Sequence, residues 1–144
     1  MKNFDKDNRG FTLIEVLVVM GIIAVLATIV LIAINPARQF AQARNTQRTS
    51  HVNSILNAIG QRIANCKGVF EGVCGGVTCP ILPSTTTPIG NTLNDCIVPT
   101  YITTIPVEPV TGQPGYTVIA SSTSGRVTVA APSAELGEPI SVTR

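Results

Sequence analysis

Six of the 144 residues have side chains whose reactivity asks for an explanation: Cys66, Cys74, Cys79 and Cys96, the single His51, and Glu15, a carboxylate inside an apolar run. The cysteines are spaced C-x7-C-x4-C-x16-C. That pattern lacks the close C-x2-C pairs of most zinc knuckles, and His51 lies remote from it, so metal ligation is the weaker alternative. An even number of cysteines in a chain with room for only a small core reads instead as two disulfides, the cross-links of exported proteins. Three pairings are open, and Cys66–Cys74 with Cys79–Cys96 closes the shortest loops.

Glu15 poses the sharper question. It is the only charge between Phe11 and Ile34, a stretch of 24 residues. As a helix rising about 1.5 Å per residue this stretch reaches about 36 Å, enough to cross a bilayer core of about 30 Å. A bare carboxylate in hydrocarbon costs on the order of 2.5 kcal/mol or more, so Glu15 needs a partner or a task. A secretory signal would have an apolar core of only about 7 to 15 residues before an A-x-A-like site. Ala41-Gln42-Ala43 imitates such a site, but the run before it is too long. A plain membrane anchor fits the length and leaves Glu15 without a purpose.

Residues 9–19, RGFTLIEVLVV, resemble the class III leader junction of type IV pilins and of the pseudopilins of type II secretion. Those proteins carry a short charged leader ending in Gly, then Phe, and a Glu at the fifth position after the cut. The resemblance implies that residues 1–10 are a leader, removed on the cytoplasmic side by a prepilin peptidase that cuts between Gly10 and Phe11 and methylates the new Phe11 amine. It also implies that Glu15 meets the terminal amine of a neighbouring, identical subunit in a helical filament. The chemistry is compatible: an α-amino group has a reference pKa of about 8 and compensates a carboxylate in a low-dielectric bundle core.

The implied fold is α+β and pilin-like, a long N-terminal helix packed on a small antiparallel sheet. Residues 11–34 would be the membrane-spanning and filament-core helix, 35–66 an amphipathic helix and 67–144 a disulfide-containing head. The resemblance places the chain in the bacterial cytoplasmic membrane, leader inward, until an inner-membrane assembly platform draws it from the lipid into a pilus-like filament. A type II secretion pseudopilus, acting as a piston in the periplasm, is the alternative; a DNA-uptake or adhesion minor pilin is a third use. Charge bias does not decide the topology, since Lys2, Lys6 and Arg9 before the apolar run are matched by Arg38, Arg44 and Arg48 after it.

Beyond the apolar run, Pro36 predicts either a kink or short break at Ile34–Pro36 or a new helix with Asn35 as its cap and Pro36 at its first position. Val52, Ile55, Leu56, Ile59 and Ile63 recur at intervals of three and four and predict a helix that packs this stripe on the head, with Arg44, Arg48, Asn53, Asn57 and Arg62 off it. His51 reads as a solvated surface residue. Lys67–Asn94, rich in Gly, Pro and Thr, reads as a long loop. Strands are expected at Thr100–Ile105, Tyr116–Ala120 and Arg126–Ala131, the last two joined by SSTSG as a hairpin, with a short edge strand at Ile140–Val142.

No nucleophile elbow, phosphate loop or paired metal-ligand motif is found, so the sequence is not read as an enzyme and no cofactor is assigned. Calcium is the one ion the resemblance raises, since major pseudopilins often bind it near the sheet. Glu108, between Pro106 and Pro109, and Asp95 are hard oxygen donors, yet they form no dense ligand series like that of an EF-hand. Net charge is +2, and its distribution is uneven. Arg38, Arg44, Arg48, Arg62 and Lys67 follow one another without an acid among them, whereas acids dominate beyond. The series would serve as a phosphate footprint for nucleic acid, but aromatic stacking residues are scarce, and packing of the arginines between subunits is the preferred expectation.

Overall fold

The computed structural model describes residues 10–144. The chain divides into two units, one ending at Gln39 and the other running Phe40–Arg144. In the first, α1 spans Leu13–Ala33 and buries none of its residues. Its mean hydropathy is 3.1 over the most apolar window. At 21 residues it is about 32 Å long, the length and composition of a membrane-crossing helix. Its one hydroxyl, on Thr28, donates to the Ala24 carbonyl at 2.9 Å, so the span carries no unsatisfied side-chain donor.

Helical bonding stops at Ile34, whose backbone is extended, and resumes in α2, Pro36–Asn65. Asn35 Oδ1 accepts the Arg38 amide at 3.3 Å, so the short break expected at Ile34–Pro36 and the Asn35 cap occur together, with Pro36 at the first helical position. α2 is the spine of the head. Val52, Ile55 and Ile59 are fully buried and Leu56 and Ala58 nearly so. The helix ends in a left-handed Lys67, with the Gly68 amide returning to the Ile63 carbonyl at 2.8 Å; this Schellman closure turns the chain back over the helix end.

The segment expected to be one loop is more structured. It holds a hairpin of β1 (Gly72–Cys74) and β2 (Val77–Cys79), a two-residue strand β3 (Thr87–Pro88) and a short helix α3 (Asn91–Ile97). Gly75 and Gly76 both take positive φ, as the hairpin's two-residue turn requires. In α3, Leu93, Cys96 and Ile97 recur at helical spacing and are buried. The strand expected at Thr100–Ile105 does not form. The Tyr101 and Ile102 amides both donate to the Ile97 carbonyl, closing the end of α3, and the segment has no strand partner.

The main sheet is antiparallel in the order β3-β4-β5-β6, with β4 Thr117–Ala120, β5 Val127–Ala131 and β6 Ile140–Thr143. β5 alternates buried and half-buried residues along its whole length, the pattern of a strand with one face in the core. Val118, Val127, Val129 and Ala131 from the sheet join the α2 stripe, Phe70, Leu82, Ile97 and Tyr116 in one core. The fold is thus α+β, an apolar N-terminal helix followed by a helix packed on a small antiparallel sheet.

Candidate functional site: the start of the apolar helix and the ion network of the head

Gly10, Phe11 and Thr12 are exposed, and a side chain placed at Gly10 would meet nothing within 4 Å. Among the described residues nothing crowds the backbone of this junction. The leader expected at residues 1–10 lies outside the described residues except for Gly10. Glu15 sits at the third position of α1, where Thr12 is the N-cap, and the two form a reciprocal capping box. The Glu15 amide donates to Thr12 Oγ1 at 3.3 Å, while Glu15 Oε2 accepts the Thr12 amide and hydroxyl, each at 3.2 Å. Both bonds from Thr12 end on Oε2, and Oε1 takes neither. The sequence signal was available in Thr12-x-x-Glu15, the spacing of a capping box, and it gives Glu15 a partner within its own chain.

In the head, four side chains of α2 reach the loops that flank the sheet. The Arg44 guanidinium forks onto Glu135, with Nε at 2.7 Å and Nη2 at 2.9 Å. The Asn45 amide grips the backbone of the same residue, its Nδ2 donating to the Glu135 carbonyl at 2.8 Å and its Oδ1 accepting the Glu135 amide at 2.9 Å. Arg48, with only 1% of its side chain exposed, donates to Glu108 at 2.6 Å, to Glu135 at 3.1 Å and to Asn45 at 3.0 Å. His51 Nδ1 lies 2.6 Å from the hydroxyl of buried Tyr116, so His51 is half-buried and bonded rather than solvated. Glu108 Oε2 is buried without a hydrogen-bond partner.

These contacts set the protonation states. Hydrogen bonds from Arg44, then Arg48, hold the Glu135 carboxyl down at about 2 against the opposing effect of its partial burial. Arg44 is raised by its bond to Glu135. For Arg48 burial is the largest influence and favours the neutral form, but its bonds to Glu108 and Glu135 together outweigh it and the net shift is upward. Burial, reinforced by the Glu108 charge and opposed by Arg48, pushes Tyr116 up to about 12. Both Arg44 and Arg48 therefore serve acids of their own head, where the sequence suggests packing between subunits. Arg48 and Arg62 also lie on the buried face of α2, where they had been placed off the stripe.

Cys66 is bonded to Cys74 and Cys79 to Cys96, with Cα separations of 5.7 and 5.8 Å. Arg62, 1% exposed, donates from Nε to the Phe70 carbonyl at 3.0 Å and from Nη2 to the Gly72 and Val77 carbonyls at 3.2 and 3.4 Å. Its guanidinium carbon stands 5.3 Å from the centre of the Phe70 ring. Among the described residues no cluster of three or more His, Cys, Asp or Glu is placed to hold a metal. Of the two acids considered for calcium, Glu108 is committed to Arg48, and Asp95 is exposed on α3.

Comparison with protein families places the Prokaryotic N-terminal methylation motif on residues 5–31. This motif is the class III signal peptide of type IV pilins and pseudopilins, and its match supports reading the N-terminal segment as that of a pilin-like or pseudopilin substrate of prepilin peptidase. It covers the leader junction and most of α1 and leaves the head unmatched. Comparison with curated proteins gives no match, and comparison with solved structures gives none.

Proposed function

We propose that the chain is the precursor of a structural subunit of a type IV pilus-like filament. The observation that carries this reading is α1, an apolar helix with every residue exposed, opened by a capped Glu15 and overlaid by the methylation motif. A prepilin peptidase cuts between Gly10 and Phe11, where the backbone is unencumbered, and methylates the Phe11 amine. The helix then leaves the membrane laterally through the assembly platform and enters a bundle of identical helices, whose apolar contacts replace lipid. There Glu15, with Oε1 not engaged by Thr12, takes the amine of a neighbouring subunit, and each buried charge is compensated by the other.

The filament ends outside the cytoplasmic membrane, where the two disulfides are chemically at home. A secretion pseudopilus would use the same subunit chemistry. The test expresses the full chain in cells with an active prepilin peptidase and measures the intact mass and amino terminus of the product. The expected product begins at methylated Phe11, is recovered in sheared surface filaments, and is lost in a Gly10→Leu variant that retains its leader. A mature chain starting elsewhere, or complete processing of Gly10→Leu, would overturn the reading; correct processing with lost secretion and no surface filament would assign the pseudopilus.

A further inference from the structure

The Cys66–Cys74 bridge spans the same loop that Arg62 grips from inside. Arg62 and Cys66 are one helical turn apart, and the Cys66 amide donates to the Arg62 carbonyl at 2.9 Å. One fastens the loop covalently and the other through its backbone. Arg62 has no ion-pair partner among the described residues. A buried cation is costly, and here it faces only neutral acceptors, so its job is defined by those acceptors: one carbonyl before the hairpin, one on β1 and one on β2. A planar, permanently charged fork suits three carbonyls spread over two strands better than the point charge of a lysine.

The hairpin needs such a grip. Each of its strands has three residues, too few to persist alone in water. Without it the first bridge to form has an easy wrong choice, even though the native pair of bridges closes the shorter loops in total. Cys74 and Cys79 are only five positions apart, closer than Cys66 and Cys74 at eight, and loop-closure entropy favours the shorter ring. The hairpin register forbids that ring: Cys74 is opposite Val77 and Cys79 opposite Gly72. Cys74 and Cys79 are therefore diagonal neighbours, roughly 7 Å apart, whereas a disulfide needs Cβ atoms about 3.8 Å apart.

We propose that Arg62 is an oxidation template, which docks residues 70–77 on α2 before any disulfide exists and so directs Cys74 to Cys66 and leaves Cys79 for Cys96. The chemistry is ordinary thiol–disulfide exchange. One cysteine thiolate attacks the disulfide of an external oxidant, glutathione disulfide or a protein dithiol oxidase, and forms a mixed disulfide. The thiolate docked beside it displaces the oxidant's second thiol. For each bridge two cysteine thiols lose two protons and two electrons, and one oxidant disulfide becomes two thiols. Arg62 takes no part in the exchange; it sets which thiolate is within reach.

The test reduces and unfolds the full chain, returns it to detergent micelles with a glutathione redox pair, and traps products by alkylation. Non-reducing peptide mapping counts the three pairings, and the same oxidation in guanidinium chloride gives the untemplated distribution. Relative to that distribution, wild type is expected to raise the ratio of Cys66–Cys74 with Cys79–Cys96 to the pairing that contains Cys74–Cys79 by about tenfold, the scale of one charge-assisted hydrogen bond. Arg62→Met should fall to the untemplated distribution, with Cys74–Cys79 gaining, and Arg62→Lys should lie between. Ile59→Ala, which weakens the core away from the hairpin carbonyls, should keep the wild-type pairing. Wild-type pairing in Arg62→Met, or equal loss of it in Ile59→Ala, would overturn the proposal.

Discussion

The Arg48 network allows the most demanding test of how the head is built. Arg48→Met keeps the length and apolar stem of the side chain and removes the guanidinium donors with which it now reaches Glu108, Glu135 and Asn45. Glu135 keeps Arg44, but the Glu108 side chain, 5% exposed and already carrying one unpartnered oxygen, is left with no cation. Breaking a buried pair in this way costs about 3 to 5 kcal/mol, most of it the burden of the stranded charge. Removing both charges in Arg48→Met/Glu108→Leu should be milder than Arg48→Met alone, because a buried pair replaced by apolar groups of similar volume is often close to neutral. The assay is hydrogen exchange of the β5 amides in the full chain at neutral pH, which reads the free energy of opening the head. A cost under about 1 kcal/mol for Arg48→Met, or a double variant worse than the single one, would show that the pair is not what holds the Pro106–Pro109 loop against α2.

Two further predictions concern the other carboxylates. Glu15→Gln keeps an acceptor for the Thr12 amide and loses the charge, whereas Glu15→Ala loses both; processing after Gly10 should survive in each, and sheared-filament yield should collapse in each. Full yield from Glu15→Gln with none from Glu15→Ala would reduce Glu15 to a helix cap. The Glu135 carboxyl, held at about 2 against an ordinary 4.5, binds fewer protons folded than unfolded between those values, so its contribution is complete above 4.5 and is lost as pH falls toward 2. The stability gap between wild type and Glu135→Gln should close over that window, and a gap that persists unchanged to its acidic end would refute the linkage.

Much of this was legible in the sequence, and the failures have definite physical causes. Hydropathy alone marks α1, and β-branched runs set between turn residues mark β4, β5 and β6 within a residue or two. The stripe of α2 was found where it is apolar and lost where it is not. Positions 48, 52, 55, 59, 62 and 66 keep the spacing of three and four throughout, but the charge of Arg48 and Arg62 masks the buried places that their positions give them. Their partners lie far off in the chain, at Glu108, Glu135 and the hairpin carbonyls, and no local pattern announces them. The capping box of Thr12 and Glu15 is fully local and legible in the spacing Thr12-x-x-Glu15. Thr100–Ile105 has the composition of a strand, but Pro99 and Pro106 bracket it and the end of α3 claims its amides.

The placement of the arginines also bears on what the head can touch. A basic run binds phosphate only through cations free to shed counterions, one contact for each step in the salt dependence of binding. Arg44 and Arg48 are neutralised by Glu135 and Glu108, and Arg62 is enclosed beneath the hairpin. Of the five basic residues between 38 and 67, that leaves Arg38 in the first turn of α2 and Lys67 just past its end. Two cations so placed make no phosphate track along the helix. Arg44, Arg48 and Arg62 are instead used within the head, to tie the Pro106–Pro109 loop, the turn after β5 and the disulfide hairpin to one spine. A head that satisfies its own charges presents fewer unmatched ones to its surroundings, and in a repeating array each unmatched charge would have to be answered at every copy.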